Sequence, residues 1–94
     1  MQTFKQFLEG TLESLPVELF LKSEHPKLAA ELGDEGTANL AQVLVDDESI
    51  DDEVFNVASD YFSHRIPRMY QSSSEVEHWI VLKLRGEARR FGAM

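Results

Sequence analysis

The chain contains no cysteine, which excludes disulfide bonds, thiolate metal sites and cysteine nucleophiles. Long apolar runs are also missing: the longest, from Trp79 to Leu82, has four residues, whereas a membrane-spanning helix needs about 20. The N-terminal residues lack the continuous apolar core of a signal peptide. Together these absences predict a cytoplasmic protein without membrane segments.

Sequence motifs of catalysis and cofactor binding are absent as well. The chain has no G-x-S-x-G, H-E-x-x-H, P-loop or G-x-G-x-x-G pattern. Its histidines, His25, His64 and His78, do not have the spacing of a zinc site. Asp60, His64 and Arg68 follow one another at four-residue steps, which predicts an ion-paired row on one helix. We therefore expect no enzymatic activity, no cofactor and no metal site.

Negative charge is abundant and unevenly distributed. Seventeen acidic residues against nine lysines and arginines give a formal net charge of −8 in 94 residues. Residues 1–60 hold fourteen of the acids and three of the bases, whereas residues 61–94 hold three acids and six bases. Such asymmetry is informative about binding partners rather than about the fold. The alternative is that the basic segment packs beside the acidic one and neutralises it.

Apolar residues recur at three- and four-residue steps along most of the chain, the spacing of amphipathic helices. We therefore predict an all-α fold: a single domain over residues 1–94, built as a compact bundle of four to six short helices. The longest helices are expected at about 52–66 and 74–91. Residues 43–45 and 79–85 also suit short strands, and a helix is preferred for the second of these.

Local signals predict where the helices begin and end. Thr3 and Ser74 are each followed three residues later by Gln or Glu, the spacing of a capping box. Pro16 is expected to end the first helix or to open the next one. Gly33 is expected to end a helix, and Thr37 to cap the following one.

Six acids occupy eight consecutive positions, 46–53, which we call the acidic run. It directly precedes a predicted helix, and the free amides and dipole at a helix N-terminus favour carboxylates. The run lacks the ligand spacing and glycine of an EF-hand. It is therefore either a solvated helix cap or a surface that presents phosphate-like charge to a basic partner. The acids concerned are Asp46, Asp47, Glu48, Asp51, Asp52 and Glu53.

A second candidate surface lies on the last predicted helix. His78, Leu82, Arg85 and Arg89 follow at steps of four, three and four, so they form one row, the cationic stripe, with Trp79 at its edge. Arginine and tryptophan around an exposed leucine are typical of protein interfaces. The alternative is that the tryptophan and leucine complete a central helix while the arginines extend to solvent.

These observations favour a small acidic, non-enzymatic protein-binding module. In size and composition the chain is similar to bacterial immunity proteins and to phage-encoded inhibitors of nucleases, although this likeness includes no motif. Its expected partner is a larger protein with a basic surface, such as a nuclease or a nucleic-acid-processing complex.

Two alternatives stay open at this point. One is a nucleic-acid-associated regulator in which residues 54–71 and 74–91 form a helix-turn-helix-like pair, although a net charge of −8 opposes direct binding to DNA. The other is a homodimer formed through exposed apolar positions of the last helix.

Overall fold

A computed structural model describes residues 4–46 and 48–94, with side chains from residue 14 onward. The described residues form four α-helices and no strand: α1 (Phe4–Glu24), α2 (Pro26–Asp46), α3 (Asp52–Tyr61) and α4 (Ser73–Phe91). The all-α prediction is therefore confirmed, and the 43–45 and 79–85 segments are helical. Helices α1 and α4 have 21 and 19 residues, α3 has only 10, and the 21 residues of α2 are divided by non-helical backbone at Gly33.

Helix α1 runs through Pro16, so the prediction that this residue ends a helix is wrong. Proline inside a helix removes one ladder hydrogen bond and costs about 3 kcal/mol. Val17, Phe20 and Leu21 follow it on the same helix and are fully or almost fully buried. Their packing offsets the lost bond. The predicted Thr3 cap lies outside the described residues.

A single residue, His25, separates α1 from α2, and Pro26 takes the first position of α2, where its missing N–H is tolerated. Gly33 interrupts α2 with φ 74° and ψ 175°, which confirms that the regular helix stops there. Helical backbone resumes directly afterwards, so Thr37 is not an N-cap as predicted. It is buried, and its hydroxyl donates to the Ala29 carbonyl at 3.2 Å.

Helix α3 is shorter than predicted, because it ends at Tyr61 rather than near residue 66. The next residue, Phe62, is fully buried and accepts a turn hydrogen bond from the Ile66 N–H at 3.1 Å. Pro67 follows and cannot continue a helical ladder. The burial of one aromatic ring and the proline together end the helix.

The cap of α4 lies two residues before the predicted one. Ser72, not Ser74, accepts the Glu75 N–H at 3.2 Å, and its hydroxyl donates to the Glu75 carboxylate at 2.9 Å. At the other end, Gly92 has φ 93°, and the Ala93 N–H reaches the Ala88 carbonyl at 2.8 Å, a Schellman arrangement.

All four helices contribute to one apolar core, and α1 packs mainly against α2. Within residues 4–46 and 48–94, no helix combines the length and the apolar character needed to cross a membrane. The buried apolar side chains that form this core are Val17, Phe20, Leu21, Leu28, Leu40, Ala41, Val43, Leu44, Ile50, Val54, Ala58, Phe62, Ile80, Val81, Leu84 and Ala88.

Candidate functional site

The acidic run spans the end of α2, the connection to α3 and the first turn of α3. Asp47 lies outside the described residues, and the other five acids are exposed. The connection is fixed by buried Ile50, whose N–H donates to Glu77 Oε1 of α4 at 2.8 Å. Asp51 is the N-cap residue of α3, without a side-chain cap hydrogen bond. The run is thus held by backbone and core contacts, which leaves its carboxylates facing solvent.

The described carboxylates of the run form no ion pair with the described lysines, arginines and histidines. Among the described residues the ion pairs are Lys22–Asp34 at 3.8 Å, His25–Glu87 at 2.6 Å and Lys83–Glu87 at 3.3 Å. None of them includes Asp46, Glu48, Asp51, Asp52 or Glu53. Within the described residues, the basic segment therefore does not neutralise these five carboxylates.

Part of the run borders a groove between α2 and α3, with a volume of about 470 Å³, which we call the acidic groove. Its exposed carboxylates come from α2 and from the start of α3, which follow each other in the chain, and the apolar side chains between them are half-buried or buried. The groove has a negative rim and a small apolar floor, formed by half-buried Leu32 and Val57 and buried Val54. The lining residues are Glu31, Leu32, Glu35, Gly36, Asn39, Asp51, Glu53, Val54 and Val57.

The cationic stripe is found on the outward side of α4. Leu82 is 54% exposed, His78 and Arg89 are exposed, and Arg85 is half-buried. Trp79 differs from the rest because it packs edge-on against Phe62, with ring centroids 5.7 Å apart. Each of the two predictions for the stripe therefore holds for one residue: Trp79 packs at the rim of the core, and Leu82 is exposed to solvent as an interface residue would be.

Among the described residues, His78 of the stripe lies near Glu48 of the acidic run. His78 and Glu48 line the same shallow cavity of about 240 Å³ beside the first turns of α4. None of the described residues that line the acidic groove belongs to the cationic stripe. The predicted partner-binding residues therefore form two surfaces rather than one.

The predicted row of Asp60, His64 and Arg68 does not form. Helix α3 ends at Tyr61, so the two later residues are not on its surface. In the described residues there is no ion pair between Asp60 and His64.

A polar cluster around His25 was missed by sequence reasoning. The imidazole is 6% exposed and bridges two helices: Nε2 donates to Glu87 Oε1 at 2.6 Å, and Nδ1 lies 3.0 Å from the Tyr61 hydroxyl. The rings of Phe20, Tyr61 and Phe62 surround it edge-on at 5.7–5.8 Å. His25 thus links the α1–α2 junction to α3 and α4.

Glu87 completes this cluster on α4. Burial raises the pKa of its carboxyl, but the hydrogen bond and charge of His25, with those of Lys83, lower it more. The pKa of Glu87 therefore lies below its ordinary value of 4.5, and the side chain is a carboxylate at neutral pH.

The cluster resembles a carboxylate-oriented histidine, but its geometry is that of a structural link. Both ring nitrogens contact protein partners, and the hydroxyl on the far side belongs to the half-buried Tyr61. A cavity of about 460 Å³ beside it is lined by Phe20, Glu24, His25, Glu87, Arg90 and Phe91. The sequence offered one signal, His25 directly before Pro26 at a helix junction. Its partners lie 36 and 62 residues away, which no local pattern indicates.

No protein-family model, curated protein or solved structure matches this chain significantly. Within the described residues, no group of three or more side chains is arranged to hold a metal ion.

Proposed function

We propose that this protein is a small non-enzymatic, cytoplasmic binding module that docks through the acidic groove on the basic surface of a larger protein. The observation that carries the proposal is the groove itself, with four exposed carboxylates around an apolar floor. A cationic side chain gains from the rim, and an apolar side chain beside it gains from the floor. This combination suits a protein surface that carries both arginine or lysine and aliphatic residues.

The charge on the rim supports a partner of opposite sign. Glu31, Glu35, Asp51 and Glu53 form no ion pair with the described cations, so a basic partner does not have to displace an internal one. Exposed charges of one sign accelerate association with an oppositely charged surface and are screened by salt. The carboxylates thereby determine how fast the partner arrives, and the apolar floor determines how long it stays.

The class of partner follows from the same chemistry. A surface that binds nucleic acid is rich in lysine and arginine, and an array of carboxylates competes with phosphates for it. We therefore propose an inhibitor or immunity-type protein, bacterial or phage-encoded, that covers the basic surface of a nuclease or a nucleic-acid-processing complex.

The alternative of a helix-turn-helix-like regulator receives less support from the geometry. The connection between α3 and α4 covers residues 62–72, whereas the helix-turn-helix motif uses a turn of about three or four residues. Glu75 also lies in the first turn of α4, where a recognition helix would approach the phosphates.

The test uses a defined probe, an amphipathic helical peptide with arginines on one face and leucines on the other. We expect the protein to bind it at about 20 mM NaCl, and more slowly at about 300 mM. A groove variant, Glu31→Gln, Glu35→Gln, Asp51→Asn and Glu53→Gln together, is expected to weaken binding by at least about tenfold.

The matched control neutralises four carboxylates away from the groove: Glu18→Gln, Glu24→Gln, Asp34→Asn and Asp60→Asn. Its total charge equals that of the groove variant, so net charge alone predicts the same loss for both. Equal losses, or no binding of the peptide at low salt, would contradict the proposal. Tighter binding of a random DNA duplex at physiological salt would favour the nucleic-acid alternative.

A further inference from the structure

The outward face of α4 carries an apolar side chain and a glycine that the fold itself does not require. Leu82 is 54% exposed, and Gly86 follows one turn later on the same face. A Cβ atom at Gly86 would meet nothing within 4 Å. Glycine inside a helix costs about 1 kcal/mol relative to alanine. The chain thus has a protrusion beside a gap, and neither is explained by its own packing.

The charges on this face are arranged symmetrically about Leu82. Glu75 lies seven residues before it and Arg89 seven residues after it, and both side chains are exposed. Seven residues are close to two full turns, so the three side chains lie along one line of the helix. If a second copy of α4 packs antiparallel with Leu82 at the centre, Glu75 of each copy lies opposite Arg89 of the other.

The residues beside this line are complementary in size. Trp79 and Gly86 lie on the same side of Leu82, three residues before it and four after it, at about 60° and 40° around the helix. A two-fold axis perpendicular to the plane of the two helices places Trp79 of each copy opposite Gly86 of the other. The half-buried indole of one copy then lies over the Cα of Gly86 in the other.

We propose that two copies of this chain associate through an antiparallel pair of α4 helices centred on Leu82. The occupant of this face is a second copy because its charge and size patterns complement themselves and do not require any foreign sequence. On the opposite side of the line, Arg85 of one copy lies near His78 of the other. This inference concerns a surface separate from the acidic groove and does not depend on the proposed function.

The size of the contact determines its strength. Helix α4 has 19 residues, which is about 28 Å of helix. One helix pair buries less than the roughly 1,200 Å² of a stable interface, so the dimer is reversible, with a dissociation constant on the order of 10–100 µM.

The first test separates dimerisation from folding. In Gly86→Leu, the leucine side chain fills the gap opposite Trp79 of the other copy. The substitution is not expected to disturb the fold, because leucine is a better helix former than glycine and a Cβ at this position has no atom within 4 Å. Sedimentation equilibrium of the native chain should reveal a monomer–dimer equilibrium in the range of about 5–500 µM. We expect Gly86→Leu to stay monomeric there while its melting temperature is unchanged or higher. A native chain that is monomeric throughout, or a variant that dimerises as tightly as the native chain, would overturn the proposal.

The second test reads the register directly, because the chain contains no native cysteine. Helices packed about 8–10 Å apart bring Leu82 of each copy within disulfide range at the two-fold axis. Leu82→Cys should therefore oxidise to a covalent dimer at about 50 µM. Leu19→Cys is the matched control, since Leu19 on α1 is 62% exposed. Crosslinking of the control variant instead would place any dimer contact on α1 and overturn the proposal.

The charge pair provides a third readout. In the Arg89→Glu dimer, the new carboxylate of each copy would lie opposite Glu75 of the other copy. These two repulsive contacts should weaken the dimer. Adding Glu75→Arg in the same chain restores opposite charges and should recover it. Failure of the double variant to recover, while its helix content is unchanged, would contradict the antiparallel register.

Discussion

His25 links the α1–α2 junction to Tyr61 of α3 and Glu87 of α4 through polar contacts. Its ring is buried among three aromatic side chains and contacts Tyr61 and Glu87 through separate nitrogens. Removing a buried group that satisfies two polar partners leaves a cavity and exposes those partners to an unfavourable environment. We therefore assign His25 a structural role, because both of its ring nitrogens contact protein side chains.

We predict that His25→Ala lowers the free energy of unfolding by about 3 kcal/mol. Urea denaturation at pH 7 measures this value. His64→Ala is the control, because His64 is exposed, and it should change stability by less than about 0.5 kcal/mol. Similar costs for the two variants would contradict the assignment of His25 as a buried link.

Glu87 makes the stability of the protein dependent on acid. Because its pKa is lower in the folded state than its ordinary 4.5, its contribution is complete above that value. The contribution is lost as the pH falls through the folded-state pKa. We predict that Glu87→Gln costs about 1–2 kcal/mol at pH 7 and progressively less below pH 4.5.

The comparison of native and Glu87→Gln unfolding curves across this pH range isolates one carboxyl from the others, which titrate equally in both proteins. The gap in stability between the two proteins should close as the pH falls. A gap that stays constant down to pH 3 would mean that the Glu87 carboxylate does not have the lowered pKa.

At the scale of the helices, two glycines have opposite roles. Gly33 has φ 74° and ψ 175°, a conformation restricted almost entirely to glycine, whereas Gly86 is helical. Neither would bring a Cβ within 4 Å of another atom, so sterics outside the backbone do not distinguish them. Backbone conformation alone does.

We predict that Gly33→Ala destabilises the protein by about 1–3 kcal/mol and that Gly86→Ala stabilises it by about 1 kcal/mol. Thermal unfolding at a few micromolar, below the concentrations at which the proposed dimer would form, measures both. A stabilised Gly33→Ala protein would show that α2 does not require the break.

The sequence predicted some features of the helices correctly and others wrongly. Periodicity identified the helical class, and Gly33 indicated the break in α2, because apolar spacing and glycine conformation are local properties. It misplaced the end of α3, since burial of Phe62 depends on the other helices. The predicted helix boundary at Pro16 was wrong, because local propensity does not include the burial of Val17 and Phe20 in the core. Choosing Ser72 over Ser74 as the cap likewise depends on where the preceding connection places the chain.

For the candidate site, the sequence indicated the acidic run but not the groove. Glu31 and Glu35 on α2 meet Asp51 and Glu53 beside α3 only through the tertiary fold. The stripe on α4 was predictable because its spacing is that of a single helix. The separation of the two surfaces, and the burial of Trp79 against Phe62, were not.

At the scale of the whole molecule, the uneven charge has a cost for folding. The net charge is −8, and the described carboxylates of the acidic run are exposed and form no ion pair with the described cations. Compaction brings these charges together, so their repulsion is larger in the folded state. We therefore expect the exposed acids to lower the stability of the folded chain.

We predict that raising NaCl from about 20 to 300 mM increases the melting temperature by several degrees, because salt screens this repulsion. The four-site groove variant should have a higher melting temperature at low salt and a smaller salt response. The off-groove control variant separates a local effect from net charge, since it should recover less. A melting temperature that falls with salt would contradict a repulsive acidic surface.

We propose above that a basic partner docks in the acidic groove between α2 and α3. Titration of ¹⁵N-labelled protein with the arginine–leucine peptide locates the contact residue by residue. We expect the amide shifts to concentrate on residues 31–39 and 51–57, with α4 residues 78–89 unaffected. Shifts concentrated on the cationic stripe, or spread evenly over all exposed carboxylates, would contradict it.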